Sequence, residues 1–152
     1  MEVAMDERTI EIMKLKNHLC FPLYACSREA IKLYKPFLDE LNLTYTQYIT
    51  MLVLWERKQV TVKELGIALY LDSGTLTPLL KKLEEKGLVN RRRSALDERN
   101  LLVSLTPAGI AMQERATHIP TEMEKCVNLD QEERVTLYRL LYKMLAYLDE
   151  EK

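Results

Sequence analysis

Segment 60–106 constrains the fold more than any other part of this chain. It reads as helix, tight turn, helix and hairpin in immediate succession. Residues 62–70 (VKELGIALY) carry apolar positions at helical spacing, preceded by Thr61 as a cap with Glu64 as its capping-box partner. Leu71, Asp72 and Ser73 make the turn. A second helix covers 74–86, and Gly87 stops it. Two alternating segments, 88–92 and 100–105, follow as a hairpin whose loop carries charges of both signs. Val60, Thr61 and Val62 supply a short strand beside it. This order outlines a winged helix-turn-helix, whose second helix is shaped to enter a DNA groove.

The flanks are helical. Over 7–35 the apolar positions Ile12, Leu15, Leu19, Leu23, Cys26, Ala30 and Leu33 step by three and four, which predicts one long helix. Pro22 is expected to kink it and Pro36 to end it. Another helix starts after the cap Thr44, with Tyr48, Met51, Leu52 and Trp55 on one face. Beyond the hairpin, Thr106-Pro107 is a cap followed by proline, starting a helix that reaches Ile119, with Pro120 as a break. A last helix covers 130–149, with Leu137, Leu141, Met144 and Leu148 in one stripe. The fold class is therefore mainly α with a small β-hairpin wing: one domain over 1–152, with the winged helix-turn-helix at 44–106. Broad apolar faces on 7–36 and 107–150 need burial, either on their own domain or in a homodimer. The dimer is favoured because DNA readers of this shape bind two half-sites about one helical turn apart.

Charge supports the same assignment. The chain has 22 basic and 23 acidic residues, yet residues 74–103 alone carry 7 basic and 4 acidic groups. Phosphate contact needs a local positive surface rather than a basic protein. At the start of the second helix, Ser73, Thr75 and Thr77 are short enough to approach base edges, with Lys81 and Lys82 placed for phosphate. Arg91, Arg92, Arg93, Asp97 and Arg99 belong to the wing. Asp97 can pair with Arg99 and orient it for a narrow minor groove, or the loop is a solvated turn with surface ion pairs. The expected partner is double-stranded DNA with a pseudo-palindromic operator.

No apolar run is long enough to span a bilayer, and the first residues lack the apolar core of a signal peptide, so no membrane contact and a cytoplasmic location are expected. Cys20, Cys26 and Cys126 match no metal spacing, and His18 and His118 stand apart from them, so no metal or cofactor is expected. In a reducing compartment all three are free thiols. Cys20 and Cys26 lie about 9 Å apart along one helix, too far for a disulfide without unwinding.

The string LDSGTLTPLLKKLEEKGLV and the wing DERNLLVSLT resemble the MarR family of bacterial transcriptional regulators, whose wing motif D-x-R is matched by Asp97-Glu98-Arg99. More narrowly, LCFPLY and the later LTYTQY look like the organic-hydroperoxide-sensing OhrR branch and its single-cysteine staphylococcal relatives. Pro22 departs from the aliphatic residue of that pattern. The resemblance implies a DNA-binding regulator, not an enzyme, probed by an organic hydroperoxide or related oxidant. It puts Cys20 on the sensing cysteine. Tyr34 and Tyr45 fall on two tyrosines whose hydroxyls hydrogen-bond that sulfur, the second from the partner subunit. It further implies that Cys126 resolves oxidised Cys20 across the dimer; the alternative is capping by a small thiol. Oxidation would then release operator DNA, most simply as derepression. Three other readings stay open: a MarR-type regulator answering a phenolic ligand, a thiol peroxidase, which lacks a C-x-x-C reductant motif, and a winged-helix protein adaptor.

Overall fold

The structure, a computed structural model, describes residues 6–95 and 100–150. Its elements are α1 (Glu7–Ile12), a 3-10 turn (Leu15–Asn17), α2 (Cys20–Leu33), α3 (Lys35–Glu40), α4 (Tyr45–Arg57), β1 (Gln59–Thr61), α5 (Val62–Leu69), α6 (Ser73–Glu85), β2 (Val89–Arg93), β3 (Leu101–Leu105), α7 (Pro107–Ala116), α8 (Ile119–Cys126) and α9 (Gln131–Glu150). The three strands form an antiparallel sheet in the order β1-β3-β2, with Val60 opposite Val103 and Arg91 opposite Val103 on its other side. The chain divides into a unit running to Ile119 and a second from Pro120.

Helix starts follow side-chain caps. Thr44 and Gln47 form a reciprocal capping box on α4, as do Thr61 and Glu64 on α5. Thr106 accepts from the Gly109 N–H at 3.0 Å, with Pro107 as the first residue of α7. Each such cap contributes about 1 kcal/mol. The predicted second helix of the winged unit begins one residue early, because Asp72 rather than Ser73 is its cap. It ends as expected: Gly87 has φ 72°, its N–H donates to the Glu84 carbonyl, and the Leu88 N–H donates to Leu83. This is a Schellman closure, which needs a left-handed residue at Gly87.

Residues 7–35 do not form one kinked helix. The chain breaks through the 3-10 turn and restarts at Cys20. Pro22 is thus the third residue of α2, where a backbone N–H has no intrahelical acceptor, and it starts a helix instead of bending one. Pro36 acts alike: α2 stops at Leu33, and Pro36 lies in the first turn of α3. The break after α7 falls at Thr117 and His118, ahead of Pro120, which is the second residue of α8. On α4 the buried face holds Tyr48, Met51, Leu54 and Trp55, while Leu52 points outward.

The core of the first unit gathers Leu54, Leu65, Leu76, Leu80, Leu83, Val89 and Val103, all essentially inaccessible. Burial of each leucine contributes roughly 1.5–3 kcal/mol. One close approach locks α7 to the rest. A Cβ on Gly109 would stand 2.1 Å from the Leu88 carbonyl oxygen. The Trp55 indole N–H donates to the Gly109 carbonyl at 2.9 Å, and the Thr106 hydroxyl donates to the Gly87 carbonyl at 2.6 Å. In the second unit, Asp130 and Glu133 cap the start of α9 reciprocally at 2.9 Å, and Arg134 sits 3.0 Å from Glu124.

Gly109→Ala is expected to cost about 3 kcal/mol, because backbone rather than a mobile side chain must yield. Gly87→Ala carries only left-handed strain of about 1–2 kcal/mol, since nothing lies within 4 Å of the added carbon. Urea unfolding of the two variants checks the order; a more damaging Gly87→Ala would contradict it.

Candidate functional site

Two groups of residues make up the candidate site: a reading surface on α6 and the wing, and a thiol with an aromatic cluster on α2 to α4. On α6, Leu76, Leu79, Leu80 and Leu83 face the core, leaving Ser73, Thr75, Thr77, Lys81 and Lys82 outward. The Asp72 carboxylate accepts from the Thr75 N–H and from its hydroxyl, each at 2.9 Å. Those bonds hold the Asp72 carboxyl below the usual aspartate range. The Thr77 hydroxyl donates to the Ser73 carbonyl at 2.8 Å. Both threonine protons are therefore engaged, and the surface offers methyl groups and lone pairs. Pro78, inside α6, cannot donate to the Gly74 carbonyl.

The wing arginines have separate duties. Arg91 grips Glu84 with Nε at 3.0 Å and Nη2 at 2.7 Å, and its backbone N–H adds a third bond at 3.1 Å. That bracket ties β2 to α6 and holds the Glu84 carboxyl below the usual glutamate range. Arg91, grouped by sequence with the groove-facing arginines, is thus committed inside the reading unit. The reason is spacing: the turn at Gly87 folds residue 91 back beside residue 84. Arg92 is exposed and donates to the Gln59 side chain at 3.0 Å, and Arg93 is exposed. Lys81 stands 4.0 Å from Glu85. Asp97 and Arg99 lie outside the described residues.

Cys20 is exposed as the first residue of α2, and Cys26 and Cys126 are exposed too. Tyr34, at the far end of α2, is about 20 Å along the helix from Cys20. It packs instead on Tyr45, with ring centroids 5.0 Å apart edge to face, and on Tyr48 at 5.9 Å. Tyr48 continues to Trp55 at 6.3 Å. Within one chain the two tyrosines sit together, and Tyr34 stands a helix length from the Cys20 of its own chain. Burial raises the Tyr45 phenol above its ordinary range. Burial, helped by Tyr34 and Tyr45, pushes Tyr48 up to about 12. Tyr45 and Tyr48 therefore stay neutral hydrogen-bonding groups at physiological pH.

Tyr48, Trp55 and Glu84 are not singled out by the sequence as parts of the site. Tyr48 follows Tyr45 by three residues, one helical step, which is the signal that joins it to the cluster. Among the described residues no group of His, Cys, Asp and Glu is arranged to hold a metal ion, and no helix is long and apolar enough to cross a membrane.

Comparison with known proteins places these features in a family. Residues 32–116 match the model of the transcriptional regulator SarA/Rot. The organic hydroperoxide resistance transcriptional regulator of Bacillus subtilis is 49% identical over 142 residues, 93% of this chain and 97% of that protein. Reduced AbfR of Staphylococcus epidermidis bound to DNA superposes with a TM-score of 0.75 at 36% identity, over 92% of this chain and 98% of that one. A disulfide form of AbfR superposes at 0.64 with 34% identity, over 95% and 98%. The reduced form of MarR from E. coli superposes at 0.68 with 30% identity, over 84% and 96%. The chain belongs to the MarR family of winged-helix transcriptional regulators, in the branch that holds the organic hydroperoxide resistance regulators.

Proposed function

We propose that this regulator works as a homodimer that binds operator DNA when reduced and releases it when an organic hydroperoxide oxidises Cys20. The observation that carries the reading is the separation of thiol and tyrosines within one chain. Cys20 heads a helix that buries none of its residues, and the Tyr34–Tyr45 pair waits at the other end of that helix. A second chain can lay its Cys20 against this pair. The same dimer covers Ile12, Leu15 and Leu19, each at least 59% exposed, and α9, a helix of 20 residues with none buried. Apolar stripes of that length call for a partner surface.

The chemistry is stoichiometric. The Cys20 thiolate attacks the terminal oxygen of the hydroperoxide; an S–O bond forms, the O–O bond breaks, and the alkoxide leaves to take a proton as the alcohol. Sulfur is oxidised and the peroxide reduced. Cys126 of the partner then attacks the sulfenic sulfur and expels water, giving an intersubunit disulfide. The disulfide form of AbfR supports that step as a route open to this branch. Either product alters the contacts of Tyr34 and Tyr45, shifts the two reading heads relative to one another, and removes the fit to two half-sites. In this reading Ser73, Thr75 and Thr77 face bases, Lys81, Lys82, Arg92 and Arg93 face phosphate, and Asp97 and Arg99 are assigned to DNA binding with them. Regulation by release makes the protein a repressor, acting in the cytoplasm where DNA and peroxide meet.

A cleft of about 250 Å³ between the start of α5, α6 and the wing, lined by Thr61, Lys63, Thr77, Leu80, Arg91 and Leu101, favours a second reading in which a small phenolic ligand moves α6. Cys20→Ser separates the two. The redox reading expects this variant to bind DNA from the protein's own upstream region normally and to stay bound after cumene hydroperoxide; release at the parent's dose would sink it. Release of the variant by a phenol alone would favour the cleft.

Non-reducing electrophoresis after mild cumene hydroperoxide tests the bridge. The parent chain is expected to run as a covalent dimer and Cys126→Ser as a monomer; a dimer band persisting in Cys126→Ser excludes the pairing of Cys20 with Cys126.

A further inference from the structure

We infer that Lys86 is the residue that transmits movement of the sensing tyrosines to the reading helix. The inference rests on the redox reading above and assigns a positioning residue to it. Lys86 caps the C-terminus of α6. Its ammonium donates to the Asn42 carbonyl and, at 3.0 Å, to the Gln47 side-chain oxygen. Neither acceptor lies on α6 or on the wing. Asn42 lies in the turn before α4, held in a left-handed conformation with φ 53°. Gln47 is buried, and its side-chain oxygen also accepts from the Thr44 N–H at 3.1 Å. Its own N–H donates to the Thr44 hydroxyl at 3.3 Å.

Tyr45 is inside that capping box, between Thr44 and Gln47 in the chain. A displaced Tyr45 therefore drags the first turn of α4, and the oxygen that holds Lys86 travels with it. Lys86 in turn ends α6, a helix of 13 residues and about 20 Å. A shift at that end swings Ser73, Thr75 and Thr77 at the other. Burial, then the nearby Lys82, moves the Lys86 amine below the ordinary lysine range. Among the described residues no carboxylate pairs with Lys86, so the link is a pair of directed hydrogen bonds rather than a diffuse attraction.

The test is the ratio of DNA affinity before and after cumene hydroperoxide, measured on the same upstream fragment for the full-length protein, Lys86→Met and Lys86→Arg. Lys86→Met is expected to bind within about twofold of the parent when reduced, and its loss of affinity on oxidation to be about fivefold or more smaller than the parent's. Lys86→Arg, which keeps two donors, is expected to restore the parent's ratio. Thermal unfolding of the reduced variants monitors folding, which a merely structural lysine would change without changing the ratio. A Lys86→Met protein that releases as fully as a releasing parent overturns the link alone. A parent that stays bound after oxidation overturns the redox reading, and the link with it.

Discussion

The contact at Gly109 is the constraint on which the winged unit depends. Its missing side chain lets α7 press against the Leu88 carbonyl, just where α6 hands over to β2. Trp55 reaches the same point from α4 and satisfies the Gly109 carbonyl, while Thr106 closes on Gly87. Three helices and the sheet thus meet at a few backbone groups that have no room to slide. Close packing of this kind permits discrete repacking and resists gradual deformation. The C-terminal end of the reading helix is thus seated on α7 through Leu88, and Lys86, two residues earlier, ties that same end to the start of α4.

Charge in this chain is divided between the surface and the frame. Arg91 and Glu84 lie seven residues apart and on opposite sides of a glycine turn, yet Nε and Nη2 of the guanidinium converge on one carboxylate oxygen while the Arg91 backbone N–H donates to the other. Charge-assisted hydrogen bonds are among the stronger polar contacts, and this pair is partly shielded from solvent. Arg92 and Arg93 are both exposed on the same strand, Arg93 on the face that Arg91 takes and Arg92 on the opposite one. A basic run therefore serves two purposes, and reach to Glu84 decides which residue joins the frame.

Much of this was legible in the sequence because its signals are local. Thr44, Thr61 and Thr106 announce their helices through bonds made within three residues, and Gly87 ends α6 through its own backbone conformation. The leucine face of α6 follows from helical spacing. The N-terminal break was hidden because an apolar stripe with a step of three or four continues across the 3-10 turn, so periodicity registers no interruption. Pro22 and Pro36 read as kink and stop, whereas each occupies a first turn; the residue alone does not tell which side of a helix boundary it is on. The Tyr34–Tyr45–Tyr48 cluster and the Glu84–Arg91 bracket join residues from different elements. Their partners are set by tertiary packing, which no window of sequence contains. The pairing of Tyr34 with Tyr45, rather than with the thiol of its own helix, is decided simply by the length of α2.

The bracket between Glu84 and Arg91 has a thermodynamic consequence for a regulator of this family. Helix and strand are joined before any ligand arrives, so the entropy of aligning them is charged to folding and not to association. Each reading head then behaves as a rigid body, and in the proposed dimer what is left to vary is how two such bodies are placed relative to each other. Affinity for a two-part operator would then be a steep function of that placement, which is the quantity the proposed oxidation of Cys20 would change.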